Sequence, residues 1–317
     1  MKVGRKHIAV GVIAAILLVG IGWFAAGHYA TNTARDKIDG FLIRNNLKGV
    51  ISYQDISATP MGKTTLTDVT VKIGAIPIKC DTVTLSGVDT SHDTPRSADV
   101  TLSGLNVPVL DLARTGVQPA IPLAELGYAS VHGRLNFSYD LSSKGDLTVK
   151  THGDASNAGS WDMKLNLSGI EPDTLSTLGM ISKVLAGSSN EGNVERRLET
   201  ATITAKLAGL ELSLNDSGMY DRMRKLPNAN IPSAGNSPDA KSGVSETTLV
   251  KAGMTPSDAR DTAAKINGWV EKGGDISLST GIDHPISLMR SGGMMGVPQP
   301  AFDSLESFLV ATKAKIR

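Results

Sequence analysis

Apolar and polar residues alternate with period two through the middle of the chain, which is the pattern of half-buried β-strands. The strongest run extends from Val131 to Leu141, turns at residues 142–146, and continues from Leu147 to Thr151. A third run begins at Trp161 after another turn. Three hairpin-linked strands of this kind predict an antiparallel meander with one apolar face. The positions assigned to that face are Val131, Leu135, Phe137, Tyr139, Leu147, Val149, Trp161, Met163 and Leu165.

Shorter segments on both sides of the meander also predict strands. They are rich in Val, Ile, Thr and Tyr and are bounded by turn residues. These segments are 50–58, 66–73, 76–85, 100–109, 198–214 (with a kink at Ala208-Gly209), 275–280 and 285–289. The end of the chain is ambiguous. Phe308, Val310, Thr312, Ala314 and Ile316 recur at every second position, with Lys313, Lys315 and Arg317 beside the last of them, which favours a strand. Asp303-x-x-Glu306 resembles a capping box and favours a helix. We expect a brief turn followed by a strand there.

Helices are predicted where apolar residues recur every three or four positions after a capping residue. Thr33–Leu47 has this pattern, and Asp173 begins another such segment that ends at Gly187. Thr255 followed by Pro256 marks a strong helix start, because threonine caps and proline occupies the first turn. Ser217–Leu226 predicts a short helix.

The amino-terminal segment Ile8–Ala26 contains no charged residue over 19 positions. A helix of that length spans ~29 Å, which matches a bilayer core. Lys2, Arg5 and Lys6 precede it, so the positive-inside rule predicts a cytoplasmic amino terminus. A cleaved signal peptide, cut near Ala25, is the competing interpretation. The residues assigned to the anchor are Ile8, Leu17, Leu18, Trp23 and Phe24.

Together these elements predict an α+β protein in which an N-terminal transmembrane helix precedes a mainly antiparallel β-sheet body with several packing helices. The predicted domains are a cytoplasmic tip and anchor (1–30), a linker helix (31–48) and a β-rich periplasmic body (49–317). Flexible loops are expected near 227–243 and 291–300. The expected location is the bacterial inner membrane, crossed once, with the body in the periplasm.

Composition narrows the possible functions. The 317 residues carry a net charge of +1, and Lys2, Arg5 and Lys6 supply three of the positive charges. The rest of the chain is therefore slightly acidic, which argues against a general nucleic-acid binder. Cys80 is the single cysteine, which excludes an intramolecular disulfide framework and a cysteine-based zinc site.

Motifs for catalysis are weak. Ser57–Thr64 approaches the phosphate-binding G-x-x-x-x-G-K-T pattern, but serine replaces the first glycine and a strand-like run follows it. His132 and His152 lie on neighbouring predicted strands and could meet across the sheet. We predict no catalytic, cofactor-binding or metal-binding residues and no cofactor, and we expect Cys80 to be a small strand side chain.

Two stretches resemble the AsmA-like and YdgA-like groups of bacterial envelope proteins. Residues 51–62 followed by 64–71 look like their early strand–glycine–strand unit. Residues 210–219, and Gly273–Leu278 before Pro285, look like a tail seen in related proteins. The resemblance implies a β-rich periplasmic body and a role in envelope maintenance, in outer-membrane assembly or in lipid handling.

The expected function is thus that of a membrane-anchored, non-enzymatic periplasmic protein that binds lipid or an envelope protein on a curved sheet. The alternative is an anchored hydrolase, which would need two carboxylates ~5–10 Å apart in a cleft. The inner membrane is the expected partner, and nucleic acid is not. The ligand and the oligomeric state stay open.

Overall fold

The computed structural model describes residues 31–44, 47–59, 62–89, 91–92, 95–117, 120–171, 204–225, 244–290 and 299–317. The chain divides into two compact units. Unit 1 contains residues 1–155 and 170–201, and unit 2 contains residues 156–169 and 202–317. Every strand pair whose register is defined is antiparallel.

Unit 1 combines one long helix with an antiparallel sheet. Its strands follow the order β3-β4-β5-β6-β7, with the short strands β1 and β2 both paired to β3. Its elements are α1 (Thr31–Arg44), β1 (Ile51–Ser52), β2 (Asp55–Ala58), β3 (Thr64–Ile73), β4 (Ile76–Ser86), β5 (Ser97–Val107), α2 (Val109–Arg114), α3 (Ala120–Glu125), β6 (Val131–Leu141) and β7 (Leu147–Ala155).

The core of unit 1 lies between α1 and the apolar face of β1 to β5. Ile38 and Leu42 recur four residues apart on α1, so both side chains lie on one face of that helix. They are 0% and 2% exposed and belong to the same buried cluster as Leu66 and Val83. Helix α1 is therefore part of the packed core of unit 1.

The alternation of buried residues changes phase in the middle of this sheet. In β3, Leu66 and Val69 are both buried, and Asp68 between them has a φ of 50°. In β5 the pairing with β6 shifts between Leu102 and Leu105. Gly104 has a φ of 66°, and a Cβ there would lie 1.9 Å from Oδ2 of Asp81. The β-bulge at Gly104 needs glycine for two reasons: only glycine adopts this positive φ without strain, and a side chain there would clash with the Asp81 carboxylate.

Unit 2 is a smaller antiparallel sheet with helices packed against its last strands. The strand order is β8-β9-β10-β14, with β11 also paired to β9 and with β12 paired to β13. Its elements are β8 (Gly159–Ser168), β9 (Lys206–Asp216), α4 (Met219–Arg224), α5 (Glu246–Lys251), α6 (Pro256–Lys272), β10 (Ile276–Ser279), β11 (Ile286–Ser287), β12 (Met289–Arg290), β13 (Gln299–Pro300), α7 (Leu305–Ala311) and β14 (Lys315–Ile316).

Helices α5, α6 and α7 form the core of unit 2 with β10 and β14. Leu249, Ala259 and Leu309, one from each helix, are all 0% exposed. They cluster with Ile316, and Ile276 and Leu278 of β10 pack against the same cluster. The predicted start of α6 is confirmed, because the Thr255 side chain accepts a hydrogen bond from the Asp258 backbone N–H.

The prediction for the end of the chain is wrong. Residues 305–311 form a helix, and only Lys315–Ile316 are a strand. The cause is a capping box in which Ser304 and Ser307 each accept a hydrogen bond from the other's backbone N–H, both at 3.1 Å. This box satisfies two amides that would otherwise lack partners, so the helix begins despite the alternating pattern.

The predicted fold class and location are contradicted in their membrane part. Within the described stretches from residue 31 onward, no helix has the length and apolar character needed to cross a membrane. The longest two, α6 and α1, have 17 and 14 residues, and both carry charged side chains. For the described residues, the predicted transmembrane fold class and single-pass location are therefore corrected to an antiparallel β-sheet with short packing helices.

Several predictions concern residues outside the described ranges. They include the apolar segment Ile8–Ala26 with its anchor residues, the predicted helix 173–187 and the predicted loop 227–243. Residues 291–298 of the second predicted loop are outside as well, whereas residues 299–300 form β13.

Candidate functional site

The apolar face of unit 1 is less completely covered at β6 than at β5. Leu102 and Val100 of β5 are each 2% exposed, and their cross-strand partners on β6 are Leu135 and Phe137. Those two partners are only partly buried although they pack against the core. Helix α1 therefore shields the first strands more completely than it shields β6.

The structure brings most of the predicted unit 1 face residues together. Tyr139 pairs with Ala98 on one side and with Val149 on the other, and both Tyr139 and Val149 are partly exposed. Val131 lies opposite Val107 at one end of β6 and is also partly exposed. Leu147 lies opposite Leu141 at the hairpin and is 9% exposed, so it belongs to the interior.

Unit 2 carries a second apolar face on β8 and β9. Trp161 lies opposite Leu214, Met163 opposite Leu212, and Leu165 opposite Leu210. All six side chains point to one side of the sheet because directly paired residues share a face. The β8–β9 face is defined here as Trp161, Met163, Leu165, Leu210, Leu212 and Leu214, and each of its residues is partly exposed.

Sequence reasoning missed half of this face. It selected the three residues on β8 and none of the three on β9, although the LELSL run of residues 210–214 alternates as clearly. The same register places Ile276 opposite Leu214 and Leu278 opposite Leu212, on the β10 side. Ile276 and Leu278 pack against the buried cluster that α5, α6 and α7 form. The six residues of the β8–β9 face do not belong to that cluster.

The opposite side of the same strands is polar. Lys164 and Glu211 are paired across β8 and β9, with Nζ and Oε1 3.3 Å apart. Asp162 and Ser213 are also opposite one another and are exposed. Each strand therefore has one apolar side and one polar side, and this amphipathic sheet is the arrangement that the alternation predicts.

A polar depression of about 430 Å³ lies at the end of β5, β6 and β7 in unit 1. Asp99 and Asp140 both line it, together with Lys150, and the β5–β6 register makes the two aspartates diagonal neighbours. Diagonal positions are ~7–8 Å apart, which is within the range that a two-carboxylate hydrolase needs. Both aspartates are exposed, however, so nothing in the depression excludes water from them.

His132 and His152 do not meet. His132 lies opposite Asn106, and His152 lies opposite Asn136, which is four residues further along β6. That separation is ~13 Å along the strand. In the described ranges no group of three or more His, Cys, Asp or Glu side chains is placed to hold a metal ion.

Asp89, Ser91 and His92 lie together in one loop but are not arranged as a catalytic triad. Asp89 Oδ2 is 2.6 Å from His92 Nδ1, and Ser91 Oγ is 3.0 Å from that same nitrogen. A triad needs the acid and the nucleophile on opposite ring nitrogens. Burial alone would raise the pKa of Asp89, but hydrogen bonds from Ser91, Arg96 N–H and His92 hold it well below its usual range. Asp89 therefore organises the loop.

Cys80 is buried in β4 as a neutral thiol. Its Sγ lies 3.1 Å from the carbonyl oxygen of Thr82 and 3.2 Å from that of Ser103, and the single S–H proton is shared between these two acceptors. Burial raises the pKa of the thiol to about 11. A thiol of this kind is a poor nucleophile at neutral pH.

The phosphate-loop resemblance is also resolved by the fold. Ala58 and Thr64 are paired across β2 and β3, so both ends of this motif lie in antiparallel strands. A phosphate loop must lead into the amino terminus of a helix, and here a strand follows instead.

Comparison with known proteins gives no match: no protein-family model, no curated protein and no solved structure corresponds to this chain.

Proposed function

We propose that this protein is a non-enzymatic binding protein that holds a hydrocarbon chain on the β8–β9 face of unit 2. One observation carries the proposal: six large apolar side chains, paired directly in register across two strands, are all partly exposed. On the neighbouring strand β10, Ile276 and Leu278 are covered by α5, α6 and α7.

Burying this surface is thermodynamically favourable. Removing apolar surface from water contributes ~25 cal/mol per Å². Soluble proteins rarely leave contiguous apolar patches uncovered unless the patch binds something. Met163 adds an adaptable thioether side chain near the middle of the face, which suits a flexible ligand.

The composition of the face favours a hydrocarbon chain over a protein partner. Protein interfaces contain roughly one hydrogen bond per 100–200 Å² of buried surface. Among the six side chains, only the indole N–H of Trp161 can donate a hydrogen bond, and none carries a charge. A hydrocarbon chain asks for no such partners, so it fits a face of this kind.

Photocrosslinking of the full chain with a palmitoyl photoprobe tests the proposal. We expect the adduct on the peptides that contain β8 and β9. Leu212→Glu, which places a charge on the face, should abolish this adduct. Ser213→Glu is the matched control, because Ser213 is the next residue on the opposite, exposed side, and it should leave the adduct unchanged.

Two results would contradict the proposal. One is an adduct that does not depend on Leu212. The other is a crosslink between Met163 and residues 172–203 of the same chain in the absence of probe, because the face would then be occupied by the protein itself.

A further inference from the structure

We propose that the polar side of unit 1 binds ice through a regular array of hydroxyl groups on β3, β4 and β5. This inference is independent of the hydrocarbon binding proposed for unit 2. It rests on the register of the three strands, on the buried core beneath them and on the hydrogen-bonding capacity of the hydroxyl groups.

Each of the three strands carries a hydroxyl side chain at two alternate positions, and the register aligns these side chains in two rows. In the first row, Thr84 of β4 lies opposite both Thr65 of β3 and Thr101 of β5. Directly paired residues, and residues two positions apart on one strand, lie on the same side of a sheet. The hydroxyl array is defined here as this row and the parallel row beside it, Thr67, Thr82 and Ser103, and each of its six residues is partly exposed.

The hydroxyl array is periodic in two directions. Neighbouring strands are ~4.8 Å apart, and alternate residues on one strand are ~6.8 Å apart. Both repeats are close to repeats between oxygen atoms on the prism faces of hexagonal ice. The array is three strands wide, which limits how far the twist of the sheet rotates one strand against the others. Its hydroxyl groups therefore match neighbouring positions of one ice lattice.

The core beneath the array fixes the positions of the hydroxyl groups. Leu66, Val83 and Leu102 alternate with the array residues on the same three strands. They are 0%, 0% and 2% exposed and belong to the buried core of unit 1. Five of the six array residues are threonine, whose branched Cβ restricts rotation about χ1. Little conformational freedom is therefore lost when the array binds a solid surface.

The array is neutral, and it can donate and accept hydrogen bonds as water does. A hydroxyl group donates one hydrogen bond and accepts two. With the described residues as possible partners, the one hydrogen bond that these six hydroxyls make within the protein joins Thr65 and Thr84, whose Oγ1 atoms are 3.5 Å apart. Charged residues border the array, as at Asp99 and Arg134, but none lies within it. Ice is a neutral lattice of donors and acceptors, so it complements this surface, whereas an ionic ligand would find no opposite charge in the array.

Asn136 extends the first row onto β6. It lies opposite Thr101, and its Oδ1 atom is buried without a hydrogen-bond partner among the described residues. A buried amide oxygen is stabilised when it accepts a hydrogen bond. A water molecule bound beside Thr101 can donate that bond, so Asn136 supports an ordered layer of water at the border of the array.

Ice-affinity partitioning of the full chain tests the proposal. The protein is exposed to slowly growing ice, and its concentrations in the ice and in the remaining liquid are compared. We expect the wild-type chain to be enriched in the ice and to slow ice recrystallisation. Thr84→Lys, which places a long charged side chain at the centre of one row, should abolish both effects. Thr101→Lys should cause the same loss from a different strand.

Thr148→Lys on β7 is the matched control, and it should keep both effects. Thr148 is also partly exposed on the polar side of unit 1, but it lies opposite Asp140, outside the array. Thermal unfolding followed by circular dichroism identifies the folded variants to be compared. Exclusion of the wild-type chain from the ice would overturn the proposal. So would continued enrichment of a folded Thr84→Lys or Thr101→Lys variant, or an equal loss in Thr148→Lys.

Discussion

The apolar face beneath α1 and the β8–β9 face have the same sequence pattern and different surroundings. Under α1, Leu66 and Val83 are 0% exposed. On β8 and β9, Met163 and Leu212 occupy equivalent alternating positions and remain partly exposed. Alternation therefore identifies the apolar side of a strand, but it does not show what covers that side. Cover is a tertiary property, and the face that stays partly exposed is the one that we propose for a ligand.

The largest expected effect comes from truncating one leucine on each face. Leu66→Ala should lower the free energy of unfolding by about 3 kcal/mol, because it leaves a cavity in a closed core. Leu212→Ala should cost about 1 kcal/mol, because water already reaches that side chain. Urea denaturation followed by circular dichroism measures both. Equal losses would show that the two faces are covered to the same extent.

A second test concerns β6, where cover by α1 weakens. Gly133→Ala should destabilise the protein by about 1–3 kcal/mol, since its Cβ would lie 1.9 Å from the Asp154 carbonyl oxygen of β7. The matched control is Gly268→Ala in α6, where a Cβ meets nothing within 4 Å. That change should stabilise the protein by up to about 1 kcal/mol. Differential scanning calorimetry gives the two shifts, and shifts of the same sign would refute the packing described for β6.

A third test examines the helices that cover β10. Thr255→Ala should cost about 1 kcal/mol, because it removes the side-chain cap of α6. Ser245 occupies the same position before α5 but makes no side-chain capping bond. Ser245→Ala should therefore change the thermal midpoint by much less. A similar loss in both variants would mean that the hydrogen bond of Thr255 is not what stabilises α6.

The smallest effect is the pH dependence of the Asp89 loop. Because folding lowers the pKa of Asp89, its carboxylate stabilises the folded state above the unfolded pKa of ~3.9, and this contribution is lost as the pH falls through the folded pKa. The difference in unfolding free energy between the wild-type chain and Asp89→Asn should be constant above pH ~5 and shrink below pH ~4. A difference in unfolding free energy that grows as the pH falls would contradict a lowered pKa of Asp89 in the folded state.

The strands of the meander were predictable because their alternation is uninterrupted. The runs of residues 131–141 and 147–151 match β6 and most of β7. Helices α2 and α3 were not predicted, since six residues are too few to show a helical period, and the predicted strand 100–109 extended into α2. The kink predicted at Ala208-Gly209 is confirmed, because the β8–β9 register shifts beside Asn166.

The candidate site was only half predictable for a related reason. The sequence shows that Trp161, Met163 and Leu165 share one side of a strand. It does not show that Leu214, Leu212 and Leu210 lie opposite them, because register between strands separated by 37 residues (169–205) depends on the fold. His132 and His152 illustrate the converse error: neighbouring strands suggested proximity, and the register separates them.

Nuclear magnetic resonance of methionine methyl groups detects directly whether an acyl chain reaches the β8–β9 face. With ¹³C-methyl methionine in the full chain, the signal of Met163 can be assigned by its loss in Met163→Leu. We expect that palmitate shifts this signal and that the Met163 methyl gives nuclear Overhauser effects to the acyl chain. A Met163 signal that ignores palmitate, and whose Overhauser effects lead to other residues of the protein, would contradict it.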